Sequence, residues 1–248
     1  MILEVCVDSI ESALAAKSGG ASRLEVCSSL ASGGTTPSIG LVRRCMEDTG
    51  LPVMMMIRPH DGTFVYSEQD LQVMIEDIRA GLEAGADGFV FGCLDHNGSL
   101  NKEQNQQLLS IVGDRQSTFH RAFDVSSSTE SPLDMLDQLI QLGFDRLLTS
   151  GKSRSALAGS GLIRKLVQHA SGRITILAGA GVTSENAAEI VQLTGVSELH
   201  ASASEPCTSS LNKNTNGEVS FGCDRRVTSE EKVEAIVSAI SGRPSRKG

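Results

Sequence analysis

Short apolar runs alternate along the chain with longer segments in which apolar residues return every three or four positions. Eight runs have the length and composition of strands: 1–7 (MILEVCV), 23–28 (RLEVCS), 52–58 (PVMMMIR), 88–94 (GFVFGCL), 117–123 (STFHRAF), 146–150 (RLLTS), 174–181 (ITILAGAG) and 198–204 (ELHASAS). Between them Leu71, Met74, Ile75, Ile78 and Leu82 mark one helix face, and Leu133, Leu136 and Ile140 mark another. GADG at 85–88 and GFDR at 143–146 supply the glycine that ends a helix in the left-handed region. Strand then helix, eight times over 248 residues, predicts an α/β protein folded as a single (β/α)8 TIM barrel. The competing doubly wound sheet needs a glycine-rich phosphate loop after its first strand, and VDSIESA has none.

The rhythm breaks once. Residues 205–227 are polar and rich in Asn and Ser, and predict a long mobile loop before a final helix that begins near Thr228. The barrel domain is thus expected over 1–241, with a disordered tail at 242–248.

Strand parity sorts the side chains. Leu3, Val5 and Val7 suit the face that meets helices, which turns Glu4, Cys6 and Asp8 inward. By the same parity Glu25 and Cys27, then Arg58, then Thr118, His120 and Asp124, then His200 and Ser202, face the lumen. Buried charges cost several kcal/mol each unless they pair, so this much polarity indicates a pocket. Glu4, lying deepest, is expected in a structural ion pair. Arg58 is either its partner or the holder of a substrate anion. His120, with Arg121 and Asp124 close by in sequence, has the makings of an acid/base centre in which Glu25 or Asp124 orients the imidazole.

Three loops bear on ligands. GGTTPS at 33–38 carries donors beside a helix start, and IRPHDGTFVYS at 57–67 is long enough to cover the mouth. GAGV at 179–182 leaves the amides of Gly179 and Gly181 to meet an anion, where loops after the seventh and eighth strands of this fold often bind phosphate.

Charge and composition narrow the partners. A net charge of −8, no Trp and one Tyr argue against a nucleic-acid surface, and no apolar run is long enough to span a bilayer. A cytosolic chain is expected, and its six cysteines, with no CxxC pair, are expected reduced. Cys45, Cys93, Cys207 and Cys223 fit the role of small hydrophobes. Cys6 and Cys27 stand apart because LEVC occurs twice, at 3–6 and 24–27, on strands expected to be neighbours. Two convergent thiolates suit Cu(I), whereas zinc would want about four ligands, with His120 or His200 completing the set.

EVCVDSIESA, GGTTPS, MIRPHDGTFVYS, TFHRAFD, LTSG and ELHASAS, in this order, resemble the CutC copper homeostasis family. The resemblance covers the chain up to the eighth strand. It implies a TIM barrel, a cytoplasmic and in animals also nuclear location, a homo-oligomer (dimer or tetramer) and copper handling through Cu(I), with Cys6 and Cys27 matching two strand-end cysteines. Where relatives usually carry three glycines after the seventh strand, this chain has Gly179, Ala180 and Gly181. Two functions follow. One is a Cu(I)-binding homeostasis protein without turnover. The other is a barrel enzyme acting on a small anionic metabolite, held by Arg58, Gly179, Gly181 and Ser202 and worked on by His120 with Glu25 or Asp124.

Overall fold

Successive residues of each barrel strand enter two different surroundings. In a computed structural model, which describes residues 1–127, 129, 131–207 and 225–241, Leu3, Val5, Val7, Leu24 and Val26 join the main core between strands and helices. Their alternates face the lumen, where Cys27, Met54, Met56 and Val90 form a separate small apolar cluster. The strands are β1 (Ile2–Val7), β2 (Arg23–Val26), β3 (Val53–Met56), β4 (Gly88–Phe91), β5 (Gln116–Phe119), β6 (Arg146–Thr149), β7 (Thr175–Ala178) and β8 (Glu198–Ala201). They pair in sequence order, all parallel, and β8 closes on β1. This is the expected (β/α)8 barrel.

Helices α1 (Ile10–Ser18), α2 (Ile39–Thr49), α3 (Glu68–Ala84) and α4 (Lys102–Val112) follow the first four strands. A short α5 (Ala122–Val125) precedes α6 (Pro132–Leu142), and α7 (Ser160–Ala170), α8 (Ala187–Thr194) and α9 (Glu230–Ser241) complete the ring. The apolar face expected for α3 is observed, with Leu71, Met74, Ile75 and Ile78 buried. Ser67 and Asp70 close a capping box at its start, and Gly85 ends it at φ 93°. In α6 the deepest residues are Met135, Leu136 and Leu139, flanked by partly buried Leu133 and Ile140.

Most strands are shorter than the sequence runs, because four residues cross the barrel and the chain then turns outward. The run 117–123 shows the consequence: β5 ends at Phe119, and Asp124 sits on α5 rather than on a strand. The expected loop at 205–227 is also corrected at both ends. β9 (Ser204–Pro206) pairs antiparallel with β10 (Arg226–Thr228), forming a two-stranded ribbon beside the barrel mouth. The remainder of that loop, 208–224, and the expected tail at 242–248 lie outside the described residues. Among the described residues no helix is long and apolar enough to cross a membrane.

Closing a barrel requires stagger between strands, and here it decides which side chains meet. Cys6 lies opposite Glu25, and Val7 opposite Val26. Cys27 therefore stands two residues above Cys6; strand spacing and rise put their Cα atoms roughly 8 Å apart.

Candidate functional site

The lumen floor is an ionic network. Arg23 donates from Nε to Glu4 Oε2 and, at 2.6 Å, from Nη2 to Glu198 Oε2. Arg146 donates from Nε to the same Glu198 oxygen at 3.0 Å and from Nη2 to Gln116 Oε1 at 2.7 Å. Two cations and two carboxylates thus neutralise one another out of water. Burial raises the Glu4 carboxyl above its ordinary value, against the pull of Arg23. Glu4 is in an ion pair as expected, but its partner is Arg23 rather than Arg58.

One turn of strand higher, the chemistry changes. Cys6 Sγ, a ring nitrogen of His200 and a carboxylate oxygen of Glu25 all lie within 4.8 Å of one another. Parallel pairing produces this: β1 brings Cys6 beside Glu25 of β2 on one side, and on the other β1 pairs with β8, which carries His200. His200 Nε2 is 2.8 Å from Glu25 Oε2. Burial opposes charge on this imidazole, but the Glu25 carboxylate and the Cys6 sulfur outweigh it and hold its pKa well above the ordinary value. Burial likewise works against Glu25, yet His200 keeps its carboxyl below the usual range. Cys27 is sealed from solvent, with its Sγ 3.7 Å from Glu25 Oε2. Burial and the neighbouring carboxylate push its thiol well up.

His120 caps β5 on the facing wall. Its Nδ1 accepts the Ala122 N–H at 3.3 Å, which leaves the proton on Nε2, a buried donor with no partner among the described residues. Burial and the nearby Arg58 cation hold it at about 4, so the ring is neutral at physiological pH. Arg58 ties the loops together: Nη1 donates to the carbonyls of Ser32 and Gly34, and Nη2 to that of Gly62, while Nε is buried without a partner among the described residues. Its guanidinium also stacks 4.9 Å from the centre of the Phe64 ring. Asp124 is occupied. It accepts from Thr149 Oγ1, Ser150 N and Oγ, Lys152 N and Arg121 Nε, a set that fixes the loop after β6 and leaves the carboxylate no room for proton transfer.

These walls enclose a cavity of about 750 Å³ at the C-terminal ends of the strands. Cys6, Glu25, Arg58, His120, His200 and Ser202 line it. The loop after β7 contributes Ala180, Gly181 and Val182, with Ala180 held at φ +78°, an uncommon conformation for a residue with a Cβ. The Gly179 amide is spent on Thr149 O at 3.0 Å, so Gly181 and its neighbours supply the remaining amides. Gly179 has a different use: a Cβ there would come within 3.2 Å of His200 Cβ.

Sequence parity found Glu4 but missed the rest of the floor, although Arg23 and Glu198 precede Glu25 and His200 by two residues and share their face. It also missed Arg226 and Lys232, which β10 and α9 bring to the cavity rim. No local signal marks these two, because they reach the mouth only through the ribbon.

A model of the CutC family matches residues 1–205. The chain belongs to the CutC family. A human relative described as a copper homeostasis protein cutC homolog is 44% identical over 221 residues, covering 89% of this chain and 80% of the human protein. A CutC family protein of Bacteroides fragilis is 40% identical over 250 residues, covering 97% of each chain. The crystal structure of a CutC from Streptococcus agalactiae, 36% identical, matches with a TM-score of 0.77 over 82% of this chain and 98% of the other. A thiamine phosphate pyrophosphorylase from Pyrococcus furiosus, 16% identical, reaches a TM-score of 0.60 over 97% of this chain and 96% of its own, a likeness of fold alone. The CutC family match ends before β10 and α9, so Arg226 and Lys232 lie beyond it.

Proposed function

We propose that this chain serves copper homeostasis, the role named for its human relative, by taking up Cu(I) at the barrel mouth. The observation that carries the reading is the convergence of Cys6, His200 and Glu25 within 4.8 Å on the cavity wall. The donor set fits the ion. A thiolate and an imidazole are soft and borderline donors that Cu(I) accepts in low coordination, whereas the one hard donor, Glu25, is already engaged by His200. Cys6 and His200 form the low-coordinate shell, and Cys27, whose thiol is sealed and hard to ionise, stands behind it as a reserve thiolate that the shell does not require. Binding displaces protons from both Cys6 and His200, so affinity falls as pH falls.

The same reading assigns a cytoplasmic chain, nuclear as well in animals, assembled as a dimer or tetramer. Anaerobic titration of Cu(I) against a competing chelator tests it. Cys6→Ser should lose at least a hundredfold in affinity, His200→Gln tenfold or more, and Cys27→Ser less than either. Unchanged binding by Cys6→Ser would refute it.

A second reading rests on a different observation, the buried atoms His120 Nε2, Arg58 Nε and Glu25 Oε1, which have no partner among the described residues. A copper ion on Cys6 and His200 has no need of His120 or Arg58, while a small anionic metabolite would engage both. In this reading Arg58, Gly181 and Ser202 line its binding cavity, Gly179 shapes the wall behind His200, and Asp124 positions Arg121 and the β6 loop. His120, being neutral, donates a hydrogen bond from Nε2 and polarises the substrate, with Glu25 as the acceptor opposite.

A further inference from the structure

We infer that the cavity takes a molecule with two unlike ends: a phosphate or carboxylate at the rim and a hydroxyl-bearing carbon chain reaching inward to Glu25 and His120. The inference rests on the second reading above and gives its ligand a chemistry. The inner end is defined by what its wall lacks. Among the described residues Glu25 Oε1 is an acceptor without a donor, while His120 Nε2 and Arg58 Nε are donors without an acceptor. All three residues line the cavity and are more than nine-tenths buried. A hydroxyl answers both demands, since it donates to the carboxylate and accepts from the imidazole N–H. An ammonium would satisfy only the carboxylate and repel Arg58, and a second anion would face Glu25.

The outer end differs in sign. Arg121, Arg226 and Lys232 line the rim of a chain whose net charge is −8, against one carboxylate there, Glu185. Arg121 is paired with Asp124 at 2.8 Å and Lys232 with Glu205 at 3.4 Å. Among the described residues Arg226 bonds only to Ser204 Oγ and O, which are uncharged, and no carboxylate there compensates its charge at the mouth. Across from it the amides of Ala180, Gly181 and Val182, which line the same rim, donate no hydrogen bond among the described residues. Guanidinium and free amides together suit an oxyanion. A neutral polyol would leave the rim unsatisfied, and a bare anion would leave the inner wall unsatisfied.

The test is calorimetric titration of the full, copper-free chain at low ionic strength with four probes: D-ribose 5-phosphate, D-ribonate, D-ribose and inorganic phosphate. At least one of the two anionic sugars should bind at least tenfold more tightly than either ribose or phosphate. The tighter of the two decides between phosphate and carboxylate. Arg226→Gln, a change at an exposed residue, should weaken the anionic sugars at least fivefold and leave ribose unchanged. His120→Phe should weaken the sugars and leave phosphate unchanged, with His120→Asn as the substitute if the larger ring prevents folding. Phosphate binding as tightly as ribose 5-phosphate would overturn the two-ended ligand while leaving an anion-binding cavity in place. Ribose binding as tightly would overturn it from the other side. Absence of binding by all four would overturn both the inference and the reading beneath it.

Discussion

The floor and the mouth of the lumen are built two residues apart on the same strands, yet they treat burial in opposite ways. At the floor, Arg23 and Arg146 share Glu198, and Arg23 also holds Glu4, so every charge has an opposite within reach. At the mouth, on β2 and β8, Glu25 and His200 replace Arg23 and Glu198, and beside them, among the described residues, Arg58 donates only to carbonyls and His120 Nε2 has no partner. Among the described residues single buried atoms go unpartnered in both layers, Glu4 Oε1 and Arg146 Nη1 at the floor among them, so the difference lies in charge. A scaffold pairs its cations with carboxylates, whereas a binding site keeps a cation and an imidazole for its ligand. The comparison assigns the floor to folding and the mouth to function.

Breaking the floor should do most harm. Glu198→Ala leaves Arg23 with Glu4 alone and Arg146 with only the neutral Gln116, and a loss of about 3–5 kcal/mol is expected from urea unfolding. A loss below about 1 kcal/mol would show that the floor is not the scaffold it is taken to be.

The pH response of the mouth should be the next largest effect. His120 is held at about 4 against 6.5 for the free imidazole. As pH falls, the unfolded chain therefore takes up this proton first. The stability tied to neutral His120 is full above 6.5 and drains away towards 4. Between pH 7 and 5 wild type should lose about 2 kcal/mol more than His120→Gln, read as the difference in urea midpoints. Equal pH slopes would mean that the imidazole is not desolvated.

The smallest effect has the opposite sign. Thr118 is buried with its Oγ1 unpartnered, one layer below His120 on β5. Thr118→Val keeps the shape and removes the unsatisfied hydroxyl, so it should be neutral or stabilising by about 1 kcal/mol. A destabilisation of that size would reveal a hydrogen bond at Thr118 and a floor more fully closed than its geometry shows.

Much of this was legible along the chain, and the gaps have physical causes. Alternation of period two put Glu4, Cys6, Glu25 and His200 in one lumen, because parity is local. Stagger is not local. The repeated LEVC invites the pairing of Cys6 with Cys27, but barrel closure shifts β2 so that Glu25 meets Cys6. The identity of Glu4's partner was hidden for the same reason, since Arg23 and Arg58 stand at different depths on adjacent strands. Asp124 misled because its strand ended at Phe119, and Arg226 was invisible because its place at the rim depends on a ribbon between segments separated by a polar stretch.

The central claim, that copper is held at the mouth by Cys6 with His200, is tested most directly by Cu K-edge X-ray absorption on the Cu(I)-loaded chain and on its Cys6→Ser and Cys27→Ser variants. The account predicts a low-coordinate shell of one sulfur and one imidazole nitrogen that Cys27→Ser preserves and Cys6→Ser abolishes. A spectrum unaltered in Cys6→Ser would contradict it.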